Sequence, residues 1–102
     1  MVEVIEDGSQ IPQDGVVVVD FFATWCGPCK QIAPYYQQMA GTFPGITFLK
    51  ADVDEAQGLA ADYDVQVLPT FVVFKDGKIQ HTIKGADLNR LMKVLGELEA
   101  AA

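Results

Sequence analysis

Apolar runs separated by turn-forming residues predict alternating strands and helices along the chain. Residues 16–23 read VVVVDFFA, a nearly continuous apolar run that is typical of a central strand covered on both faces. Shorter runs predict further strands at residues 2–5, 46–52, 71–74 and 79–83. The dipeptide Asp76-Gly77 separates the last two runs and favours a type I′ turn, so these two strands should form a hairpin.

The first long helix should begin at Pro28, because proline is accepted in the first turn of a helix. Apolar residues then recur at helical spacing until residues 41–45, where glycine and proline end the pattern. Pro34 lies inside the pattern and should kink the helix. Residues 7–15 are rich in turn-forming residues, which predicts a loop with at most one helical turn.

Two more helices are predicted in the second half of the chain. Asp54 and Gln57 resemble a capping box for a short helix that ends near Tyr63. The last helix is capped by Asp87, and its apolar positions form one stripe: Leu88, Leu91, Met92, Leu95 and Leu98. Strands that alternate with helices imply parallel pairing, and the hairpin adds an antiparallel pair. We therefore expect an α/β fold with a mixed central sheet and helices on both faces.

Composition and charge narrow the function classes. The chain has 102 residues, half of them apolar and 21% charged, so we expect one globular domain over residues 1–102. Its net charge of −7 disfavours nucleic acids and anionic membranes as partners. The longest uncharged run, residues 31–49, contains prolines and glycines, so no transmembrane helix is expected. The N-terminus lacks the basic start and apolar stretch of a secretory signal, which favours a cytoplasmic protein.

The two cysteines, Cys26 and Cys29, are spaced C-x-x-C, and three kinds of site have this spacing. A zinc site needs four ligands, and His81 is the only other good one. A structural disulfide across so short a loop would contribute only about 2 kcal/mol. A pair that cycles between dithiol and disulfide is the interpretation that we favour, and no metal is expected.

The cysteines should lie where a strand ends and a helix begins. Unpaired amides and the positive end of the helix dipole stabilise a thiolate there, and the thiolate is the nucleophile in disulfide exchange. Cys26 precedes the first turn, so we expect it to be the more exposed cysteine and to attack a target disulfide. Cys29 should be shielded and resolve the mixed disulfide. The uncharged pair between them, Gly27-Pro28, adds no cation to stabilise the thiolate further, which favours a reductant.

Asp20 is an unusual residue for the strand that leads to the cysteines. If that strand is covered on both faces, burial raises the pKa of the carboxyl, which could then exchange a proton with Cys29 near neutral pH. The alternative is a solvated aspartate at the end of the strand. Lys50, on the following strand, could pair with Asp20 or lie at the surface.

Several segments together resemble the thioredoxin family, from about residue 16 to the end of the chain. The stretch VVVDFFATWCGPCK at residues 17–30 is similar to the family's active-site segment. Residues 68–71 (LPTF) resemble its cis-proline loop, residues 74–78 its hairpin, and residues 85–87 the turn before its last helix. The active-site block and the distant proline motif are specific in combination, and either alone would be weaker.

This resemblance implies a general protein-disulfide reductase that binds no cofactor itself and is recharged by a flavin-containing thioredoxin reductase with NADPH. The implied targets are peroxiredoxins, methionine sulfoxide reductases and ribonucleotide reductase, and the implied state is a monomer. Pro69 would be cis beside the cysteines, and the backbone at Leu68 would pair with an extended substrate chain. Asp20 would be the buried carboxylate and Lys50 its neighbour. The residues implied to shape the docking surface are Trp25, Gly27, Pro28, Leu68 and Gly85.

The chain also departs from the family pattern. Phe22 stands where many members have tryptophan, which is expected to change packing and not chemistry. Residues 6–15 are too few for the family's usual first helix, so this helix should be shortened or absent. Two other functional classes stay open: a thiol oxidase or isomerase on the same fold, and a noncatalytic thioredoxin-like binding module.

His81 and the tyrosines are interpreted as structural. In the expected strand, His81 alternates with Ile79 and Ile83, so all three should share a face and His81 should be partly buried. Tyr35 and Tyr36 are expected to pack within the fold rather than to bind a partner.

Overall fold

The computed structural model describes residues 2–101, which form a sheet of five strands, three α-helices and a short 3₁₀ helix. The strands are β1 Val2–Val4, β2 Val16–Phe22, β3 Ile46–Asp52, β4 Thr70–Lys75 and β5 Lys78–Lys84. The helices are α1 Gly27–Thr42, α2 Gln57–Asp62 and α3 Leu88–Ala101, with the 3₁₀ helix at Gly8–Gln10. No helix within residues 2–101 is long and apolar enough to span a membrane.

The central strand of the sheet is β2, in the order β1-β3-β2-β4-β5. Strands β1, β3 and β2 are parallel, whereas β4 is antiparallel to β2 and β5 is antiparallel to β4. The β2–α1–β3 crossover gives a parallel pair and β4–β5 form a hairpin, as the sequence predicts. The antiparallel pairing of β4 with β2 differs from the prediction, because strand–helix alternation through α2 implied a parallel strand.

Alternate residues of β2 pack into two separate hydrophobic cores, one on each face of the sheet. Val16 and Val18 pack with α1 and α3 on one face of the sheet, in a cluster that includes Tyr36 and Leu91. On the other face, the remaining valines and Phe21 pack with α2 and the segment before β2: Ile5, Ile11, Val17, Val19 and Leu59. This double coverage explains the continuous apolar run and confirms the mixed sheet with helices on both faces.

The short segment before β2 contains one turn of helix, as predicted. Asp7 caps the 3₁₀ helix by accepting a hydrogen bond from the Ser9 amide at 2.8 Å, and the Gln10 side chain returns to the Asp7 amide at 3.0 Å. A longer first helix is thus replaced by one capped turn.

The capping of α2 differs from the prediction. Its N-cap is Ala56, with no side-chain hydrogen bond, so the Asp54–Gln57 capping box is wrong. The reason lies in the turn before it: Asp52 accepts from the Asp54 amide at 2.9 Å, and its carbonyl accepts from the Ala56 amide at 2.7 Å. This turn directs the Asp54 carboxylate away from α2.

The other helix predictions have different outcomes. The cap of α3 is confirmed, since Asp87 Oδ1 accepts a hydrogen bond from the Arg90 amide at 3.1 Å. Pro34 lies inside α1 without ending it, and the expected kink stays a prediction.

The hairpin contains a bulge that changes the face of one residue. Val73 pairs with His81 and Phe74 with Ile79, so Gln80 is the extra residue of β5. Ile79 and His81 therefore lie on opposite faces of the sheet, and His81 is exposed. The expectation of a partly buried His81 that shares a face with both isoleucines is wrong.

We predict that Gly77→Ala will destabilise the protein by about 1–2 kcal/mol. Asp76 and Gly77 have φ of 51° and 82°, as the predicted type I′ turn requires, and a Cβ disfavours this region. Chemical denaturation measures the effect. The control is Gly96→Ala, where a Cβ would meet no atom within 4 Å and should stabilise α3 by about 1 kcal/mol. Equal effects of the two substitutions would contradict the turn assignment.

Candidate active site

The cysteine pair lies where β2 gives way to α1. Cys26 is the N-cap of α1, and its Sγ accepts a hydrogen bond from the Cys29 amide at 3.2 Å. Pro28 occupies the first turn, where its missing N–H leaves no donor unsatisfied. A sulfur at this position faces the amide donors and the positive end of the helix dipole, which stabilise a thiolate.

Cys26 and Cys29 form a disulfide, with their Cα atoms 5.3 Å apart. They are exposed by only 5% and 4%, so the predicted difference in exposure is absent in this oxidised state. Both pack in a small cluster with Ala23, against which Phe22 and Leu68 also pack. No group of three or more potential metal-ligating side chains occurs within residues 2–101.

Trp25, beside the cysteines, is 68% exposed and is held by a residue that the sequence analysis missed as part of the site. Its indole Nε1 donates a hydrogen bond to Asp54 Oδ2 at 2.9 Å. The two residues are 29 positions apart, and Asp54 lies in the turn in which Asp52 accepts a hydrogen bond from the Asp54 amide. A local sequence pattern contains no signal for this contact.

Asp20 is buried behind the disulfide. It lies on the face of β2 that Val18 shares, and its Oδ1 has no hydrogen-bond partner among residues 2–101. Burial raises the pKa of this carboxyl to about 7, and the positive charge of Lys50 opposes that rise. A carboxyl with this pKa can accept or donate a proton near neutral pH.

A cleft of about 250 Å³ connects Asp20 with Cys29. Asp20, Cys29 and Lys50 all line it, together with Phe22 and Tyr36. The structure thus brings together the three titratable residues singled out from the sequence. The Tyr36 hydroxyl donates to the Leu49 carbonyl at 2.7 Å, and burial raises the pKa of this tyrosine well above its usual value.

Lys50 is the register partner of Asp20 on the neighbouring parallel strand β3. Its ammonium does not hydrogen-bond Asp20 Oδ1. Instead, Nζ lies over the ring of Phe22, 4.4 Å from the ring centroid. The charged neighbour of Asp20 therefore contacts the ring of Phe22, a residue that was expected to affect packing only.

The loop before β4 packs against the cysteines. Its Leu68–Pro69 peptide bond is cis, and Leu68 packs against the cysteine cluster. The Pro69 carbonyl accepts a hydrogen bond from the amide of Gly85, whose φ is 92°. Gly27 and Pro28 are exposed at the start of α1, and Val67 is an exposed apolar neighbour that the sequence analysis did not single out.

Comparison with known proteins assigns this arrangement to a family. The family model described as Thioredoxin matches residues 5–97. The chain belongs to the thioredoxin family. Thioredoxin-1 of Schizosaccharomyces pombe is 44% identical over 95 residues, which cover 89% of this chain and 92% of that protein.

Solved structures agree with this assignment. A Plasmodium falciparum thioredoxin has a TM-score of 0.86 at 36% identity, covering 93% of this chain and 97% of the other. A structure from work on a yeast mitochondrial 1-Cys peroxiredoxin and the glutathione/thioredoxin systems has a TM-score of 0.90 at 35% identity, covering 95% of both chains. As a thioredoxin-family member with the cysteine pair in place, the chain is a protein disulfide oxidoreductase.

We predict that Asp20→Asn will stabilise the protein, increasingly so as the pH rises. The pKa of Asp20 is raised from 3.8 to about 7 on folding, so the folded state retains a proton that the unfolded state loses. The free energy of unfolding of the wild type therefore decreases between about pH 4 and pH 7 because of this group. Above pH 7 the group causes no further change. Three pKa units correspond to about 4 kcal/mol, which is the largest gain in stability expected for Asp20→Asn.

Urea denaturation from pH 4 to pH 8 measures this difference. Asp62→Asn is the control, because Asp62 is an exposed carboxylate at the end of α2. A stability difference between wild type and Asp20→Asn that does not change with pH would show that Asp20 titrates normally.

Proposed function

We propose that this thioredoxin-family protein reduces disulfides in other proteins, with Cys26 as the attacking and Cys29 as the resolving cysteine. The observation that carries the proposal is the Cys26 sulfur at the N-cap of α1, where it accepts the Cys29 amide hydrogen bond at 3.2 Å. In the dithiol state the same donor would stabilise a Cys26 thiolate.

The reaction has two exchanges. The Cys26 thiolate attacks one sulfur of a target disulfide, which forms a Cys26–target disulfide and releases the other target sulfur as a thiolate. Cys29 then loses its proton, and its thiolate attacks the Cys26 sulfur. The Cys26–Cys29 disulfide forms, the second target thiolate leaves, and two electrons have passed to the target.

Asp20 is proposed to accept the proton from Cys29. Both residues line the same cleft, and the pKa of about 7 matches a group that must take and return a proton near neutral pH. Lys50 lines this cleft as the charged neighbour of Asp20 and keeps the pKa of the carboxyl from rising further.

Substrates are proposed to dock beside the disulfide as extended chains. The backbone at Leu68 would hydrogen-bond the substrate main chain, which explains tolerance of many sequences because no side chain of the substrate is read. Pro69 and Gly85, joined by a hydrogen bond of 2.8 Å, fix this loop. The surrounding surface is formed by Trp25, Gly27 and Pro28, all exposed.

The oxidised protein is proposed to be recharged by an NADPH-dependent, flavin-containing thioredoxin reductase, so that it carries electrons with no cofactor of its own. Peroxiredoxins, methionine sulfoxide reductases and ribonucleotide reductase are the proposed targets. A peroxiredoxin target is supported by the similar solved structure from work on a yeast mitochondrial 1-Cys peroxiredoxin. The cytoplasm is the proposed compartment, because its thiol pool keeps cysteines reduced.

We predict that Cys29→Ser will trap target proteins as stable mixed disulfides. Without the resolving sulfur, the Cys26–target bond persists, since a serine hydroxyl does not attack a disulfide. Nonreducing gels and mass spectrometry of trapped complexes measure this outcome. The matched variant Cys26→Ser should trap few or none. Equal trapping by both variants would contradict the assigned roles, and trapping by neither would favour a noncatalytic binding module.

We predict a reduction potential for the Cys26–Cys29 pair below about −240 mV, within or beneath the range of the cytosolic glutathione pool. The fluorescence of Trp25, the only tryptophan, should report oxidation in a thiol redox buffer. A potential near about −180 mV, typical of disulfide isomerases, would instead support the oxidase or isomerase alternative.

A further inference from the structure

The ammonium of Lys50 lies over an aromatic ring and makes no hydrogen bond to Oδ1 of the neighbouring Asp20. Asp20 and Lys50 are register partners on adjacent parallel strands, a placement that would allow an ion pair. Nevertheless Nζ lies 4.4 Å from the centroid of the Phe22 ring, and Asp20 Oδ1 has no hydrogen-bond partner among the described residues.

The backbone explains why the ring is within reach. Phe22 follows Asp20 by two positions in β2, so both side chains project from the same face of the sheet. Lys50 on β3 is opposite Asp20 and diagonal to Phe22, and both the lysine and the ring are half-buried. A cation over an aromatic face gains about 0.5–2 kcal/mol, with the larger values where water is excluded.

We propose that Phe22 is a positioning residue whose ring holds the Lys50 ammonium away from Oδ1 of Asp20. This inference rests on the proposed function, in which Asp20 receives the proton of Cys29. If the ammonium moved onto the carboxylate, it would form an ion pair and favour the charged form of Asp20. The Asp20 carboxylate would then be a weaker base towards the thiol of Cys29.

The other charged or titratable groups facing Asp20 do not replace Lys50 in this role. Cys29 and Tyr36 approach from α1, and the tyrosine hydroxyl is engaged by the Leu49 carbonyl. Lys30, the remaining cation that lines the cleft, is exposed to solvent. Lys50 is the half-buried cation whose position the ring controls.

The test is an NMR titration of the Asp20 carboxyl carbon in the disulfide form, in which neither cysteine titrates. Phe22→Leu removes the ring and keeps an apolar side chain, so Lys50 should pair with Asp20 and lower its pKa by about one unit or more. Phe22→Trp retains an aromatic face and should leave this pKa unchanged. In a Lys50→Met background, Phe22→Leu should no longer lower it, and in a Lys30→Met background it should still do so.

Several results would overturn the inference. They are an unchanged or raised pKa of Asp20 in Phe22→Leu, and an equal decrease with and without Lys50. If Phe22→Leu does not fold, the proton chemical shifts of Lys50 in the wild type still test the contact. A ring above the ammonium should shift the ε-methylene protons of Lys50 upfield of those of the exposed Lys93, and coincident shifts would exclude the contact.

Failure of the proposed function gives a different result. If Phe22→Leu lowers the pKa of Asp20 but the rate of mixed-disulfide resolution at pH 7 stays the same, Phe22 positions Lys50 as inferred. In that case Asp20 would not be the acceptor of the Cys29 proton.

Discussion

The hydrogen bond from the Cys29 amide to the Cys26 sulfur is the contact on which the site depends. A helix leaves its first amides without partners, and a cap residue must satisfy them. In α1 the cap is the Cys26 sulfur rather than an oxygen, so the reactive atom itself accepts the hydrogen bond that caps the helix. The geometry that begins α1 is therefore also the geometry that favours a thiolate.

This arrangement depends in turn on the burial of β2. Because β2 pairs with β3 on one side and β4 on the other, its end is fixed at the point where the cysteines follow. The same burial places Asp20 out of water with one oxygen unpartnered, and an unpaired buried carboxyl destabilises the folded state. The fold thus retains, in the cleft that Cys29 also lines, a group that lowers its stability.

Much of this could be predicted from the sequence, because it follows from local rules. The β-branched run of β2, the turn at Asp76-Gly77 and the C-x-x-C spacing each predict their structure within a few residues. What could not be predicted depends on contacts between distant segments. The turn of Asp52 redirected Asp54 from a helix cap to Trp25, and a bulge at Gln80 moved Ile79 to the opposite face from His81. The expected difference in exposure between the two cysteines is absent in the disulfide form, in which both residues are buried.

The strand register links these observations to the chemistry. Side chains alternate across a strand, so a slip of one residue between β2 and β3 would turn Lys50 to the other face of the sheet. The pairing of Asp20 with Lys50 and the i, i+2 spacing to Phe22 place an acid, a cation and a ring on one face behind Cys29. The proton affinity of the site is thereby set by the pairing of strands as much as by the residues at the cysteines. For this reason an aromatic side chain at position 22 concerns the chemistry of the site as well as its packing, since the Phe22 ring lies over the Lys50 ammonium.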